Sequence, residues 1–324
     1  MHRRPATEGG WIFSSAAGII EPARTVIPNM KVFVTGSSSH LASALLPQLC
    51  ALPQIERVTG VDLDKSRYAH PKFHATRLDI RSPQIERLMH GHDALVHLAF
   101  VVLRARMSKA KMFDINVNGS HNAFNAARRA GVKRLIHVSS AAVYGSGIHL
   151  NESAPFRPLS GFLYAQHKAD IEQLLAVDFP ECVRLRPHII LGPHAQPWLK
   201  WLLRQPCYIW HPEPYPLLQC VHEDDVARAV LLAIALDVRG PFNLAVEDRF
   251  SFRDVIRRRH RASIPVPAAV ARASAYLAWR LLGWGGEPAW IASLAKTLLI
   301  GCRRAHFELG WEAQHDAKSM LMEA

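Results

Sequence analysis

Met30-Lys31-Val32-Phe33-Val34-Thr35-Gly36-Ser37-Ser38-Ser39-His40-Leu41-Ala42 is the stretch whose reading decides the fold. An apolar, β-branched run ends in a glycine, small polar residues follow, and a helical pattern opens at His40. That is a strand, a tight turn and a helix. In this frame a parallel sheet holds a dinucleotide, because the turn aims backbone N–H groups of a helix N-terminus at a pyrophosphate. Against a Gly-x-x-Gly-x-x-Gly pattern, Gly36 is kept, Ser39 takes the second position and Ala42 the third. Ala42 suits a position that only sets helix–strand spacing. Ser39 brings a Cβ to where backbone approaches phosphate, and its hydroxyl offers a hydrogen bond in return.

Outward from this stretch, short apolar runs alternate with helical ones. Strands are predicted at 31–35, 57–61, 74–78, 94–98, 134–138 and 182–186, and helices near 40–51, 83–90, 109–130, 162–178 and 223–237. This alternation predicts an α/β fold, a Rossmann-type doubly wound parallel sheet whose strand C-termini share one ligand-binding edge. Pro, Trp and His crowd 193–216, and a mostly helical segment closes the chain. The expected division is a loose extension at 1–29, a dinucleotide-binding domain at 30–190 to which 223–249 returns, and a smaller helical substrate lobe from 191–222 and 250–324. A signal peptide built on Arg3-Arg4 and Trp11 to Ile20 is the rival reading of the extension, weakened by its Ser and Gly content.

Acids stand where such a sheet uses them. Asp62 ends the second strand, 26 residues after Gly36. A carboxylate there accepts from the adenosine ribose and repels a 2′-phosphate, which favours NAD, while Lys65 and Arg67 leave NADP open. Asp79-Ile80 ends the third strand, within reach of an adenine amino group, and His97-Leu98-Ala99 ends the fourth. Each acid alone is also an ordinary loop cap.

Tyr164-Ala165-Gln166-His167-Lys168 lies downstream of Ser139-Ser140. Side chains four apart share a helix face. A tyrosine that acts as a base near neutrality needs its pKa lowered by about 3 units, roughly 4 kcal/mol. A neighbouring ammonium supplies this by favouring the phenolate. Alone, the spacing also fits a solvated helix face.

Together these segments resemble the extended short-chain dehydrogenase/reductase family, also called the NAD-dependent epimerase/dehydratase family, over about residues 30 to 250. The resemblance rests on Val34-Thr35-Gly36, Val61-Asp62, Leu78-Asp79-Ile80, Val96-His97-Leu98-Ala99, Asn116-Val117-Asn118-Gly119-Ser120, Val138 to Gly145, Tyr164 to Lys168, Leu185-Arg186-Pro187 and Val221 to Ala227. Phe242 to Ala245 and Leu309-Gly310-Trp311 look like later landmarks of the same family. It implies an enzyme with catalysis by Tyr164, Lys168, Ser140 and Asn116. Tyr164 moves the substrate oxygen's proton, Lys168 binds the nicotinamide ribose, Ser140 orients the oxygen, and Asn116 supports the helix end. It implies an NAD site at Gly36, Ser38, Ser39, His40, Leu41, Asp62, Asp79, Ile80, Leu98, Ala99, Phe100, Tyr164, Lys168 and Pro187. It also implies a homodimer through the helices near 109–130 and 162–178.

The substrate is read from departures. His188 follows Pro187 where nucleotide-sugar enzymes of the family often carry Asn, and Leu218 stands where they often carry a phosphate-gripping Arg. Without that guanidinium a nucleotide loses a strong charge-assisted contact, unless Arg204 replaces it. Trp198, Leu199, Trp201, Leu202, Leu203, Tyr208, Ile209 and Trp210 read as an aromatic lid or as the small lobe's own core. The expected substrate contacts are Ser140, Tyr144, His188, Trp198 and Trp201. The first reading is an NAD(P)-dependent oxidoreductase on a hydrophobic ring alcohol or ketone, similar in character to the 3β-hydroxysteroid dehydrogenase and sterol-decarboxylase branch. A nucleotide-sugar epimerase or dehydratase and a non-catalytic NAD-binding or scaffold module stay open as alternatives.

Composition bounds the rest. The chain has 324 residues, 49% hydrophobic and 20% charged, with a formal charge of +12. It carries no zinc-finger or RNA-binding signature, no metal-ligand spacing, and five cysteines without a Cys-x-x-Cys, so nucleic acid and a structural metal are not expected and a reducing cytoplasm is. The Ile264 to Leu282 segment is apolar but holds Arg272 and Arg280, beside Arg253, Arg257, Arg258, Arg259 and Arg261. It reads as a core helix or as a basic helix resting on the inner membrane surface.

Overall fold

The structure, a computed structural model, describes residues 11–13, 20–22, 29–260, 262–283 and 287–323. Most of the 1–29 extension, and with it the signal-peptide question, lies outside the described residues. Within it Trp11–Phe13 pairs antiparallel with Ile20–Pro22.

Seven strands form one parallel sheet: β1 (Met30–Thr35), β2 (Ile55–Asp62), β3 (Phe73–Arg77), β4 (Ala94–His97), β5 (Arg134–Val138), β6 (Val183–Pro187) and β7 (Gly240–Leu244). Their order is β3-β2-β1-β4-β5-β6-β7. The winding reverses between β1 and β4, which opens a crevice above the strand C-termini at that point. The first six strands lie where the apolar runs predict them. β7 has Gly240, Pro241 and Asn243 among its five residues and shows no strand pattern by itself. Its parallel pairing with β6 makes it a strand.

The covering helices are α1 (His40–Ala51), α2 (Gln84–Met89), α3 (Lys109–Phe113, through a wide π-helical turn at Asp114–Asn118 into Gly119–Arg129), α4 (Leu163–Asp178), α5 (Pro197–Arg204) and α6 (Glu223–Ala235). Alternate residues of β1 point to opposite faces. Val32 and Val34 pack with Leu45 and Leu49 of α1 and Val230 of α6, while Phe33 packs with Phe124 of α3 and Ile171 and Leu175 of α4. The sheet is therefore a sandwich filling between two helical layers.

The smaller lobe carries α5, α7 (Phe252–Arg259), α8 (Ala268–Leu277, continuing through Ala278–Leu282), α9 (Pro288–Leu294) and α10 (Arg303–Leu309). Three short parallel strand pairs stitch it together: Ile189–Leu191 with Cys220–His222, Cys207–Trp210 with Ile264–Pro267, and Gly147–Leu150 with Leu298–Ile300. Leu199, Leu203, Leu218, Val255 and Leu298 form its core. The apolar stripe of α8 is not part of that core. No residue from Ala268 to Leu282 is buried, and Leu281 and Leu282 are 65% and 74% exposed. The reason is the neighbour: α9 packs between α8 and the interior, leaving α8 the outer layer. Among the described residues, no helix is long and apolar enough to cross a membrane.

Candidate active site

A cavity of about 660 Å³ opens at the crevice and runs from Ser38–Leu41 at the start of α1 to Trp290 of α9 and Leu298. Gly36 makes its floor possible. Its φ is +73°, and a Cβ would lie 2.5 Å from the Ala99 backbone nitrogen, so the turn presses on the end of β4. Ser39 caps α1, its Oγ accepting from Ala42 N at 3.3 Å, and its own hydroxyl proton remains available to an anion at the helix N-terminus. Asp62 Oδ2 accepts from Ser38 N at 2.9 Å, so the carboxylate at the end of β2 also braces the turn. This cradle fits a dinucleotide: a close backbone approach, helix N–H groups and a carboxylate at the second strand end.

The other cofactor candidates distribute along the same edge. Ser38, Ser39, His40, Leu41, Leu98, Phe100 and Pro187 line the cavity. Ala99 underlies the turn as described. Asp79 is engaged with Arg81, which reaches both its oxygens and also Asp114. Ile80 is buried beside Gly119, whose Cβ would lie 2.8 Å from it.

Ser140, Tyr164 and Lys168 meet in the middle of the cavity. Ser140 begins a short helical turn, its Oγ accepting from Ala142 N at 3.2 Å, and it hydrogen-bonds the Tyr164 phenol. Lys168, buried on the same face of α4, donates to Val138 O at 2.6 Å and sits 3.8 Å from the Phe100 ring centre. Phe100 also meets Tyr164 edge-on, ring centres 5.7 Å apart. Burial pushes the Tyr164 phenol up, against the pull of Ser140. Tyr164 is therefore protonated near neutrality and set to donate. Asn116, in the wide turn of α3, pins the loop beyond Phe100: its Oδ1 accepts from Val101 N at 2.7 Å and its Nδ2 donates to Val101 O at 3.1 Å. It positions this loop and does not line the cavity.

Burial pulls Lys168 down to about 7, with Glu172 opposing. The unfolded chain keeps that proton up to the ordinary lysine range, so between pH 7 and about 10.4 it binds more protons than the fold, and the lysine's penalty fades as pH rises. Lys168→Met is accordingly more stable than wild type at pH 6, and the gap narrows as pH is raised from 7 to 10. Paired thermal melts across that range check it; a gap that widens with pH contradicts it.

The expected substrate contacts separate. Trp198 lines the cavity, and its Nε1 is buried without a hydrogen-bond partner among the described residues. His188 also lines it, but Nδ1 accepts from Ile189 N at 2.8 Å and Nε2 bonds Leu298 O at 3.0 Å, while burial holds its pKa at about 4. It offers a neutral surface. Trp201 is half exposed and outside the lining. Tyr144 is also outside it, fully buried, donating to Asn243 Oδ1 at 2.8 Å and accepting from Arg186 Nη1 at 2.6 Å, with Arg186 paired to buried Glu172. Tyr144→Phe thus costs about 1 kcal/mol of stability, the worth of one buried hydrogen bond, and leaves KM unchanged. Urea unfolding and steady-state kinetics check both halves.

Other wall residues have no sequence signal. Trp290 is the hub of an aromatic wall, 4.8 Å from Phe162, 5.1 Å from Tyr164 and 5.3 Å from Trp198 between ring centres. It sits in a short Ala-containing helix that matches no motif. Buried Glu223 accepts from His194 Nδ1 at 2.7 Å and from its backbone, closing the side toward His40. Its place within the Val221 to Ala227 segment was legible, its partner was not. Leu218, picked out as an Arg replacement, lines the cavity, and Arg204 does not. Away from the cavity, His222, Asp224 and His315 bring one potential ligand atom each within 4.8 Å. Their contacts are structural: His222 Nδ1 accepts from Asp224 N at the start of α6, and His315 pairs with Asp225.

Comparison with known proteins gives a consistent frame. The model of a family described as "NAD dependent epimerase/dehydratase family" matches residues 32–245. An uncharacterised protein of Mycobacterium tuberculosis is 26% identical over 308 residues, covering 87% of this chain and 32% of the relative. The chain thus spans about a third of the length of the first curated relatives it matches. A 4-hydroxy-2-methyl-3-oxo-4-farnesyl-3,4-dihydroquinoline-1-oxide ketoreductase of Stigmatella aurantiaca is 30% identical over 312 residues, covering 87% of each chain. Among solved structures, the dTDP-glucose 4,6-dehydratase of Streptomyces venezuelae with NAD bound superposes with a TM-score of 0.71 at 20% identity, covering 91% of this chain and 95% of that one. At that identity the likeness is one of fold.

Proposed function

The chain belongs to the NAD-dependent epimerase/dehydratase family, and from that premise we propose that it is an NAD(P)-dependent oxidoreductase acting on a hydrophobic ring alcohol or ketone. One observation carries the proposal: among the described residues lining the cavity, Lys168 is the one Lys or Arg, and the wall facing Tyr164 is Phe100, Phe162, Trp198, Leu218, Trp290 and Leu294. A nucleoside diphosphate brings two phosphates, and burying them beside Leu218 forfeits charge-assisted bonds that a guanidinium would supply. A ring ketone asks for one or two polar contacts in an apolar wall. The Stigmatella relative, named for a farnesylated bicyclic ketone, supports this direction.

When bound, NAD(P) supplies the hydride or accepts it. The chain's own residues do the proton work. In the reductive direction the Tyr164 phenol, protonated in the free site, donates to the carbonyl oxygen, and Ser140 shares that oxygen. Lys168 lies one helical turn away and is free to turn from Val138 O toward a ribose hydroxyl. The unpartnered Trp198 N–H is a donor for a second polar group of the substrate. For a 3β-hydroxysteroid bearing a neighbouring carboxylate, oxidation yields a β-keto acid that loses CO2 without further help. The proposal keeps NADP open and includes a homodimer through α3 and α4, which a solution mass measurement tests.

The test is a thermal-shift screen in the presence of NAD. Sterols and bulky ring ketones are expected to raise the melting temperature above NAD alone, and UDP- and dTDP-sugars to leave it unchanged. The reverse pattern overturns the proposal in favour of a nucleotide-sugar enzyme.

A further inference from the structure

The exposed apolar face of α8 sits in an unusual charge setting. Between Asp254 and Glu287 the sequence has six arginines and no Asp or Glu. The strands Cys207–Trp210 and Ile264–Pro267 pair side by side, Trp210 opposite Pro267, and the second runs directly into α8. Trp210, Ile264, Val270, Leu277, Leu281 and Leu282 are all exposed along this continuous surface. Arg257 and Arg258 are exposed on α7, which packs on the strand Cys207–Trp210. The carboxylates nearest in the chain are already engaged: Asp254 with Ser251, Glu213 with Arg253, and Glu287 with Arg104. The surface thus presents apolar side chains and net positive charge together.

Its position adds the second half of the argument. α8 and α9 form a helical hairpin over the cavity. α9 turns Trp290, Ser293 and Leu294 into the cavity, while α8 packs on its outside. The hairpin is tied to the loop at the other lip, where Trp279 Nε1 donates to Ala105 O at 2.7 Å, Arg106 donates to Leu281 O at 2.8 Å, and Arg104 lies 4.8 Å from the Trp279 ring centre. Val102 and Leu103 of that loop line the cavity.

We infer that this face docks on an anionic lipid bilayer, with α8 lying in the plane of the headgroups, Leu277, Leu281 and Leu282 entering the acyl boundary and the arginines meeting the lipid phosphates. An apolar stripe flanked by Arg is the chemistry that binds such a surface, through buried apolar area and attraction to anionic headgroups. A water-soluble partner protein would meet the same leucines, but the absence of carboxylates over this long segment favours a surface of uniform negative charge. The inference rests on the apolar-substrate reading, since a membrane is where such a substrate resides, and it puts the hairpin between the lipid and the cavity.

Vesicle flotation tests it, using phosphatidylcholine alone and an equal mixture with phosphatidylglycerol. The protein is expected to float with the mixture at low salt, to sediment with phosphatidylcholine alone, and to lose its binding at high salt. The double variant Leu281→Glu/Leu282→Glu is expected to lose at least about tenfold in affinity for the mixture. Its NAD-induced thermal shift should match wild type, which shows that it is folded. If wild type fails to float, or if the double variant floats equally well, the inference is overturned. A doubled solution mass abolished by the same variant, with no flotation, assigns the face to a second copy instead. Turnover of a water-soluble ring ketone by both proteins is read in parallel: if it persists while flotation fails, the docking inference falls and the proposed function stands.

Discussion

Replacing Tyr164 by Phe lowers turnover about a thousandfold, within the range that a positioned general acid supplies, and leaves NAD binding within about twofold. The asymmetry follows from where the hydroxyl points its chemistry. The ring packs between Phe100, Phe162 and Trp290, and Phe keeps all those contacts. What is lost is one O–H, held by Ser140 and raised in pKa by burial. That O–H is the group able to hand a proton to a carbonyl oxygen at this place. Steady-state kinetics and a fluorescence titration of NADH separate the two effects. Equal loss of binding and turnover would mean that the hydroxyl holds the cofactor rather than moves a proton.

Gly36→Ala is the second large expectation: a loss of about 3 kcal/mol or more of stability, together with NAD binding. A left-handed residue with a Cβ costs about 1–2 kcal/mol, and overpacking a rigid neighbour adds about 1–3 kcal/mol. Here the neighbour is backbone, with Ala99 N at 2.5 Å and Ala99 Cα at 2.7 Å from the added carbon, so no side chain can rotate away. Any relief moves the turn off β4 and spoils the cradle before α1. Gly131 is the internal control. Its φ is +76°, yet a Cβ there meets nothing within 4 Å, so Gly131→Ala bears only the conformational cost. Urea unfolding of both variants isolates the contact by subtraction. Similar losses at the two positions would contradict the close approach of Gly36 to β4.

The readability of this chain from its sequence follows the range of the forces involved. β1, the turn and α1 are local: an apolar run, a glycine and an N-cap serine declare themselves within a dozen residues. The order of the acids is local too, but their work is not. Asp79 stands at its strand end as expected, and the spacing does not reveal that Arg81 and Asp114 share its charge. β7 exists because β6 is beside it. The strand Gly147–Leu150 finds Leu298–Ile300 across most of the smaller lobe, a pairing no local pattern announces. Trp290 becomes the centre of the aromatic wall for the same reason. Tyr144 shows the opposite error: a motif residue next to Ser140 turns inward to Asn243 and Arg186, because the turn after β5 is tight and Gly145 follows it with a φ of +75°. The stripe of α8 has the period of an amphipathic helix, and period says that one face is apolar without saying what covers it.

The central claim is that Tyr164 serves hydride exchange with an apolar ring ketone. It is tested most directly by following deuterium from the nicotinamide carbon of labelled NADH. With the wild-type protein and a panel of bulky ring ketones, the label is predicted to appear on the carbinol carbon of the alcohol formed, and to be absent with Tyr164→Phe. If no ketone takes up label while a nucleotide sugar is converted with the cofactor unchanged at the end, the account is contradicted.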